Sequence, residues 1–207
     1  MAKLKIGTLL KNALSVLGQH PKLLIVGAIA AIPSLFVGSK MDLSSTLWVI
    51  AAILVGTYCI GLIIRYIYES REGQPSWPEM NSFVVGKYFP LLIVYLIFWA
   101  IVLFGLVFLI VPGVFFLVRL CLCDYGILLE DDKIFQSIKR SWILTKGNWW
   151  RLAVLNAVGL LPFFVTIPFE HLIPRPIFLL ASFTAETFSL VWGQAIFILV
   201  YLELRKV

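Results

Sequence analysis

Six long apolar segments make up most of this chain and restrict it to folds that cross a lipid bilayer. A spanning helix needs about 20 apolar residues, or about 17 at the short end, because the hydrocarbon core is about 30 Å thick. The segments run over Leu23–Ser39, Leu47–Tyr68, Tyr88–Val111, Gly113–Leu129, Trp149–Phe169 and Ile177–Leu202. Backbone polar groups must pair within each segment in lipid, so we predict an all-α polytopic membrane protein with six transmembrane helices.

The composition supports this class and excludes others. Hydrophobic residues make up 61% of the 207 residues and charged residues 14%, against about 45–50% and about 25% in soluble domains. The chain has no room for a soluble catalytic domain of even about 100 residues beside the spans, so residues 1–207 are predicted to form a single integral membrane domain. Topology explains the net charge of +6 more simply than nucleic-acid binding does.

The third and fourth segments form one apolar block that is interrupted only by Val111-Pro112-Gly113. A block of about 40 residues would be about 60 Å long as a single helix, which is twice the hydrocarbon core. Pro-Gly is a turn signal, so we predict a helical hairpin that turns at these residues.

Two amphipathic stretches are predicted to lie in the membrane interface. In Leu4–Gly18 the apolar residues recur at helical spacing with polar residues between them. In Lys133–Lys146 the apolar side is separated from a side that carries Lys139 and Arg140. Asp131 or Asp132 is predicted to cap the start of this second helix, and Gly147 to end it.

Basic residues are distributed very unequally between alternate loops, and this distribution predicts the orientation. With a cytoplasmic amino terminus the outer loops hold only Lys40 and Arg175, and Arg119 lies within the membrane. The inner segments hold Lys3, Lys5, Lys11, Lys22, Arg65, Arg71, Lys87, Lys133, Lys139, Arg140, Lys146, Arg151, Arg205 and Lys206. We therefore expect both termini in the cytoplasm.

Three ionisable residues, Arg119, Asp124 and Glu186, fall at membrane depth. Each would cost roughly 2.5–3.5 kcal/mol near the centre of an isolated helix, so each should face protein or water. At 1.5 Å per residue from the outer side, they lie about 9, 16 and 14 Å deep. Arg119 and Glu186 would therefore be within reach of each other if the fourth and sixth spans are neighbours. One interpretation is a structural ion pair, and the other is a polar cavity that binds a lipid head group or passes an ion or proton.

A basic and aromatic segment follows the fourth span. Its candidate residues for binding lipid phosphate are Lys139, Arg140, Lys146, Trp149, Trp150 and Arg151. The alternative interpretation is ordinary positive-inside anchoring with an aromatic belt.

Known catalytic and metal-binding patterns are absent from the sequence. Cys121-x-Cys123 lacks the usual metal spacing, so these cysteines and Cys59 are predicted to pack in the core. His20 and His171 belong to no metal-binding or catalytic pattern, and Glu170-His171 is predicted to be solvated. No GxSxG, Walker A or GxGxxG motif occurs. We expect no cofactor, no metal and no enzymatic activity.

The stretch from Val111 to Leu152 resembles a known family. Pro112-Gly113 precedes an apolar helix with Arg119, then the acidic turn Glu130-Asp131-Asp132, and then Ser141-Trp-Ile-Leu-Thr-Lys-Gly-Asn-Trp-Trp-Arg151. This order is similar to that of the six-helix membrane domain of YciC-like inner-membrane proteins, which also occurs fused to some bacterial glycerophosphodiester phosphodiesterases. The resemblance implies a bacterial inner-membrane location. It does not imply hydrolase activity, which in the fused proteins belongs to a separate soluble domain, and Asp124 departs from the family pattern.

The leading functional hypothesis is a non-enzymatic membrane protein that binds or organises phospholipid, preferably anionic, or supports a membrane partner. The alternative is a small transporter or channel subunit with a polar path near Arg119, Asp124 and Glu186, and a membrane-embedded enzyme ranks third. A protein partner or homo-oligomer is left open, and nucleic acid is not expected.

Overall fold

The fold is built from α-helices. The computed structural model describes residues 4–36, 42–71, 73–169 and 172–206, and within these ranges it contains no strand. The helices are α1 Ile6–Gln19, α2 Lys22–Ala31, α3 Leu43–Glu69, α4 Trp77–Phe108, α5 Ile110–Leu120, α6 Cys123–Glu130, α7 Ile134–Leu144, α8 Trp149–Thr166 and α9 Arg175–Leu204. Short 3-10 helices, Ile32–Phe36 and Ile167–Phe169, continue α2 and α8. The all-helical prediction is confirmed.

Five helical segments in the described ranges are long and apolar enough to cross a membrane. They are α3, α4, α5 taken together with α6 (Ile110–Glu130), α8 and α9. The number rises to six if α1 and α2, which meet at 96°, count together as one broken span. The structure therefore shows five to six such helices.

The helix α2 lies beside α3 over most of its length. At one end His20 contacts Tyr66, with ring centroids 5.3 Å apart, and at the other Phe36 stacks on Trp48 at 4.5 Å. The two partners on α3 are separated by about 27 Å along the helix axis at 1.5 Å per residue. Ser39, the predicted end of the first span, lies outside the described residues, as does Lys40.

The helix α4 begins at Trp77, eleven residues before the predicted Tyr88. The predicted spans leave residues 69–87 as a connection, and this prediction is wrong for residues 77–87. Pro78 occupies the first turn of α4, where a missing backbone N–H leaves no helical hydrogen bond unmade. The connection between α3 and α4 is therefore shorter than predicted.

The predicted hairpin is present, but its turn lies at Leu109 and not at Pro112-Gly113. Leu109 has an extended backbone (φ −163°, ψ 143°), and both Pro112 and Gly113 lie within α5. Gly113 instead permits close packing of α5 on α4, because a Cβ added there would lie 2.5 Å from Leu106 Cγ. The proline and glycine therefore start the helix and let it approach its neighbour.

The long helices form a closed circuit. The helix α3 packs on α4 and α9, α8 packs on α9 and α5, and α5 packs on α4. The amphipathic α1 lies against α9 through its buried residues Leu9, Ala13 and Leu17. The two predicted interfacial helices are thus both present as helices, α1 and α7.

Candidate functional site

The predicted fourth span, Gly113–Leu129, is broken at Cys121 and Leu122, which separate α5 from α6. The side chain of Ser141 on α7 bridges this break. Its hydroxyl donates to the carbonyl oxygen of Arg119 at 2.8 Å and accepts from the backbone N–H of Leu122 at 3.2 Å. Because an unpaired backbone group away from water costs several kcal/mol, one serine side chain supports the broken helix on both sides.

The side chain of Arg119 is directed toward α7. Its Nη1 donates to the carbonyl oxygen of Trp142 at 3.3 Å and to Thr145 Oγ1 at 3.4 Å. The guanidinium carbon lies 5.3 Å from the ring centroid of Phe115 and 5.0 Å from that of Trp142, within the range of cation–π attraction. The interaction with Glu186 suggested by their depths is not formed, because depth fixes only one coordinate and packing turns this side chain to another helix.

The remaining residues of the predicted motif shape the connection from α7 to α8. Gly147 has φ 84°, a left-handed conformation that favours glycine. The carbonyl oxygen of Asn148 accepts from Leu152 N–H at 3.0 Å as α8 begins, and its side-chain oxygen accepts from Arg151 Nη1 at 3.2 Å. Arg119 and the segment that begins at Ser141 therefore meet at a junction of α5, α7 and α8.

Each residue of the acidic turn pairs with a cation from a different part of the chain. Glu130 pairs with Arg205 at 2.8 Å, Asp131 with Lys87 on α4, and Asp132 with Arg140 on α7. These pairs join α6 to α9, α4 and α7.

Neither Asp131 nor Asp132 caps α7 as predicted. Asp131 ends α6 in a left-handed conformation, φ 59°, and the N-cap of α7 is Lys133, whose backbone N–H donates to Gln136 Oε1 at 3.1 Å. The hydrogen bonds that Arg140 donates to the Asp132 carboxylate raise the pKa of Arg140. Arg140, predicted as a lipid contact, is therefore engaged within the protein.

One face of α7 is buried and the opposite face is exposed. Ser137, Ser141 and Thr145 have no exposed surface. The exposed residues of α7, together with Lys146 in the turn after it and Trp150 at the start of α8, form a surface that we name the α7 surface. Its residues are Phe135, Lys139, Trp142, Ile143, Lys146 and Trp150. Phe135 is 81% exposed and Trp150 76%. Neither Lys139 nor Lys146 forms an ion pair with any residue in the described ranges.

Two of the predicted lipid contacts differ from the rest. The ring of Trp149 is half-buried and stacks on Phe115 with centroids 6.2 Å apart. Arg151 is half-buried beside Asn148. Of the six predicted residues, Lys139, Lys146 and Trp150 are exposed.

A cavity of about 500 Å³ lies between α4, the broken helix, α8 and α9. Asp124 and Glu186 both line it, whereas Arg119 does not. The other lining residues are Ile60, Tyr95, Phe98, Trp99, Leu117, Leu120, Cys121, Cys123, Tyr125, Asn156, Gly159, Leu160, Phe163, Ser189, Leu190, Gly193, Gln194 and Phe197. The structure thus brings together two of the three predicted intramembrane polar residues.

Hydrogen bonds fix parts of the cavity wall. Ser34 donates to Glu186 Oε2 at 2.7 Å, and the backbone N–H of Tyr125 donates to Asp124 Oδ1 at 3.1 Å. The Tyr125 hydroxyl donates to Gln194 Oε1 at 2.6 Å. Ser34, Tyr125 and Gln194 were not predicted as site residues, because their only sequence signal is a polar atom within an apolar segment.

The cysteines and histidines give no metal site in the described residues, where no group of three or more His, Cys, Asp or Glu could hold an ion. Cys59 and Cys123 are buried, as their predicted packing role requires. His20 contacts Tyr66, whereas Glu170 and His171 lie outside the described residues.

The fold and the site define an all-helical protein with several helices suited to crossing a membrane, in which a broken helix adjoins a mainly apolar cavity lined by two acidic side chains. Residues 43–202 match a family model described as "Domain of unknown function (DUF7847)". The match covers most of the chain, which therefore belongs to the DUF7847 family. No curated protein and no solved structure matches the chain.

Proposed function

We propose that this protein is a non-enzymatic, multi-pass membrane protein that binds anionic phospholipid head groups at the α7 surface. The observation that carries the proposal is the alternation of exposed apolar and cationic side chains, with Phe135, Trp142 and Ile143 beside Lys139 and Lys146. Aromatic and aliphatic side chains enter the head-group region, and each lysine near an anionic membrane surface contributes about 1 kcal/mol.

The arrangement behind this surface supports the same proposal. The salt bridge between Asp132 and Arg140 and the hydrogen bonds of Ser141 hold α7 against both parts of the broken helix, α5 and α6. The exposed face of α7 therefore has a fixed orientation. Arg140 is held by Asp132, and Lys139 and Lys146 therefore supply the charge for the proposed binding.

Charge reversal tests the proposal directly. We expect the Lys139→Glu, Lys146→Glu double variant to retain at least tenfold less phosphatidylglycerol than wild type after gentle detergent extraction, measured by mass spectrometry. Lys11→Glu, which reverses an exposed cation on α1, is the control and should retain the lipid. Equal lipid retention in the double variant and wild type would contradict the proposed surface.

We further propose six spans, with both termini in the cytoplasm of a bacterium and the protein in its inner membrane, as the resemblance to YciC-like proteins implies. The contacts of His20 and Phe36 on α3 lie about 27 Å apart and bracket α2 and the 3-10 helix that continues it. This length is close to the hydrocarbon thickness and supports a sixth span at this segment.

Cysteines placed at Leu109 and Lys11 test this topology, after the three native cysteines are replaced. A membrane-impermeant maleimide should label position 109 in intact cells and position 11 only after permeabilisation. Labelling of position 11 in intact cells would support five spans instead.

The cavity favours a second candidate function, a small transporter or channel subunit. Two acidic side chains, Asp124 and Glu186, line a cavity between helices, as is common on ion and substrate pathways. Glu186→Gln should then abolish flux into liposomes without changing the helical content. Absence of any flux from the wild-type protein would reject this candidate.

A further inference from the structure

The cavity has a charge pattern that the proposed lipid surface does not use. Among the described lining residues are two carboxylates, Asp124 and Glu186, and no lysine, arginine or histidine. An anionic lipid head group would meet only like charges there. The ligand that fits this wall carries a positive charge.

Asp124 is the more deeply placed of the two acids. It is 7% exposed, lies in the first turn of α6, and pairs with no cation in the described part of the chain. The partial positive charge at a helix amino terminus favours a carboxylate there. The structure therefore places a carboxyl group at the wall of the cavity with no cationic side chain paired to it in the described part of the chain.

Glu186 lies on α9, about 12 Å along the helix axis from Gln194. Gln194 accepts a hydrogen bond from Tyr125, the residue next to Asp124. Ser34 donates a side-chain hydrogen bond to Glu186, whereas Asp124 accepts from the backbone N–H of Tyr125. Glu186 adds to the negative potential of the cavity, and Asp124 offers the site for direct pairing.

The remaining wall is mainly apolar and aromatic. Tyr95, Phe98 and Trp99 come from α4, Tyr125 from α6 and Phe163 from α8. Aromatic faces attract organic cations. No group of three or more His, Cys, Asp or Glu in the described residues could hold a metal ion. A volume of about 500 Å³ lies within the usual range of small-molecule sites, about 300–1,000 Å³.

We propose that this cavity binds a lipophilic organic cation, whose positive charge pairs with Asp124 and whose apolar groups contact the aromatic wall. The inference goes beyond lipid binding at the α7 surface, and it concerns binding whether or not the protein transports its ligand.

A pair of probes with the same shape and opposite charge tests the sign of the site. Purified protein in a non-ionic detergent is dialysed to equilibrium against tetraphenylphosphonium or tetraphenylborate. We expect saturable binding of the cation and none of the anion. Equal binding of both ions, or no saturable binding of the cation, would overturn the proposal.

Isosteric neutral variants test the residues. Asp124→Asn should weaken cation binding about tenfold or more, and Glu186→Gln about threefold, because only Asp124 pairs directly with the charge. Glu203→Gln, the same chemical change elsewhere on α9, should bind as wild type does. Unchanged binding in Asp124→Asn would exclude the assigned site.

A cavity-filling variant gives an independent answer if Asp124→Asn fails to fold. A Cβ added at Gly193, which lines the cavity, meets no atom within 4 Å. Gly193→Leu should therefore fold and should lose cation binding while both acids remain, and retained binding would contradict the proposal. Lipid retention should be normal in all cavity variants, so failure here is distinguishable from failure at the α7 surface.

Discussion

Replacing Ser141 with alanine should destabilise the protein far more than the loss of one hydroxyl suggests. The substitution removes the donor to the Arg119 carbonyl oxygen and the acceptor for the Leu122 N–H. Each buried backbone group left unpaired costs about 1–3 kcal/mol. We expect a loss of about 2–4 kcal/mol in the free energy of unfolding, because part of the larger sum is recovered by local relaxation.

Ser137 provides a matched control on the same helix. Both serines have no exposed surface, but the Ser137 hydroxyl donates only to the carbonyl oxygen of Ile134, one turn away. Ser137→Ala should therefore cost less than about 1 kcal/mol.

Unfolding by sodium dodecyl sulfate in mixed micelles, followed by circular dichroism, compares the two variants. Hydrogen exchange adds a local measurement, since the Leu122 amide should lose protection in Ser141→Ala alone. Equal destabilisation of the two variants, within about 0.5 kcal/mol, would refute the bridging role of Ser141.

Three further changes test other contacts in the same unfolding assay. Gly113→Ala should lower the free energy of unfolding by about 1–3 kcal/mol, because its Cβ would meet Leu106. The control Gly56→Ala should be neutral or stabilising, because a Cβ there meets nothing within 4 Å. Equal effects of the two changes would contradict the close packing of α4 and α5. Arg119→Lys should lower the free energy of unfolding by about 1–2 kcal/mol, because a lysine does not reproduce the planar contacts of the guanidinium with two rings and two acceptors. An unchanged free energy of unfolding would argue against these contacts. A double-mutant cycle of Asp132→Asn and Arg140→Gln should give a coupling of about 0.5–1 kcal/mol, since the arginine side chain is 38% exposed, and zero coupling would contradict the pair.

Sequence patterns predicted the elements that depend on local composition. The helical class, the helix α7 and the segments α3, α8 and α9 follow from apolar length and periodicity, with ends that differ by a few residues. The predicted start of α4 was wrong because apolar length marks only the part of a helix that suits lipid, and the first eleven residues of α4 include polar residues and Pro78. The hairpin turn was predicted at Pro112-Gly113 but lies at Leu109. Pro112 and Gly113 instead lie near the start of α5, where Gly113 permits close packing on α4.

The candidate site was predicted less completely. Asp124 and Glu186 were selected because charge is costly in an apolar segment, and the structure places both in one cavity. Arg119 was selected for the same reason, yet it contacts Trp142 and Thr145 on α7. Arg140 was predicted to be a free interfacial cation, but in the structure it pairs with Asp132.

By itself the sequence determined that this chain forms apolar and amphipathic helices, because hydrophobic length and period are properties of consecutive residues. Only the tertiary structure decided where the fourth span breaks and where each charge is directed. The break at Cys121 and Leu122 has no proline or glycine to mark it, and it is stabilised by the hydroxyl of Ser141, about twenty residues away in the chain. The rotation of each helix about its axis depends on its neighbours, and that rotation separates Arg119 from the cavity that Asp124 and Glu186 share.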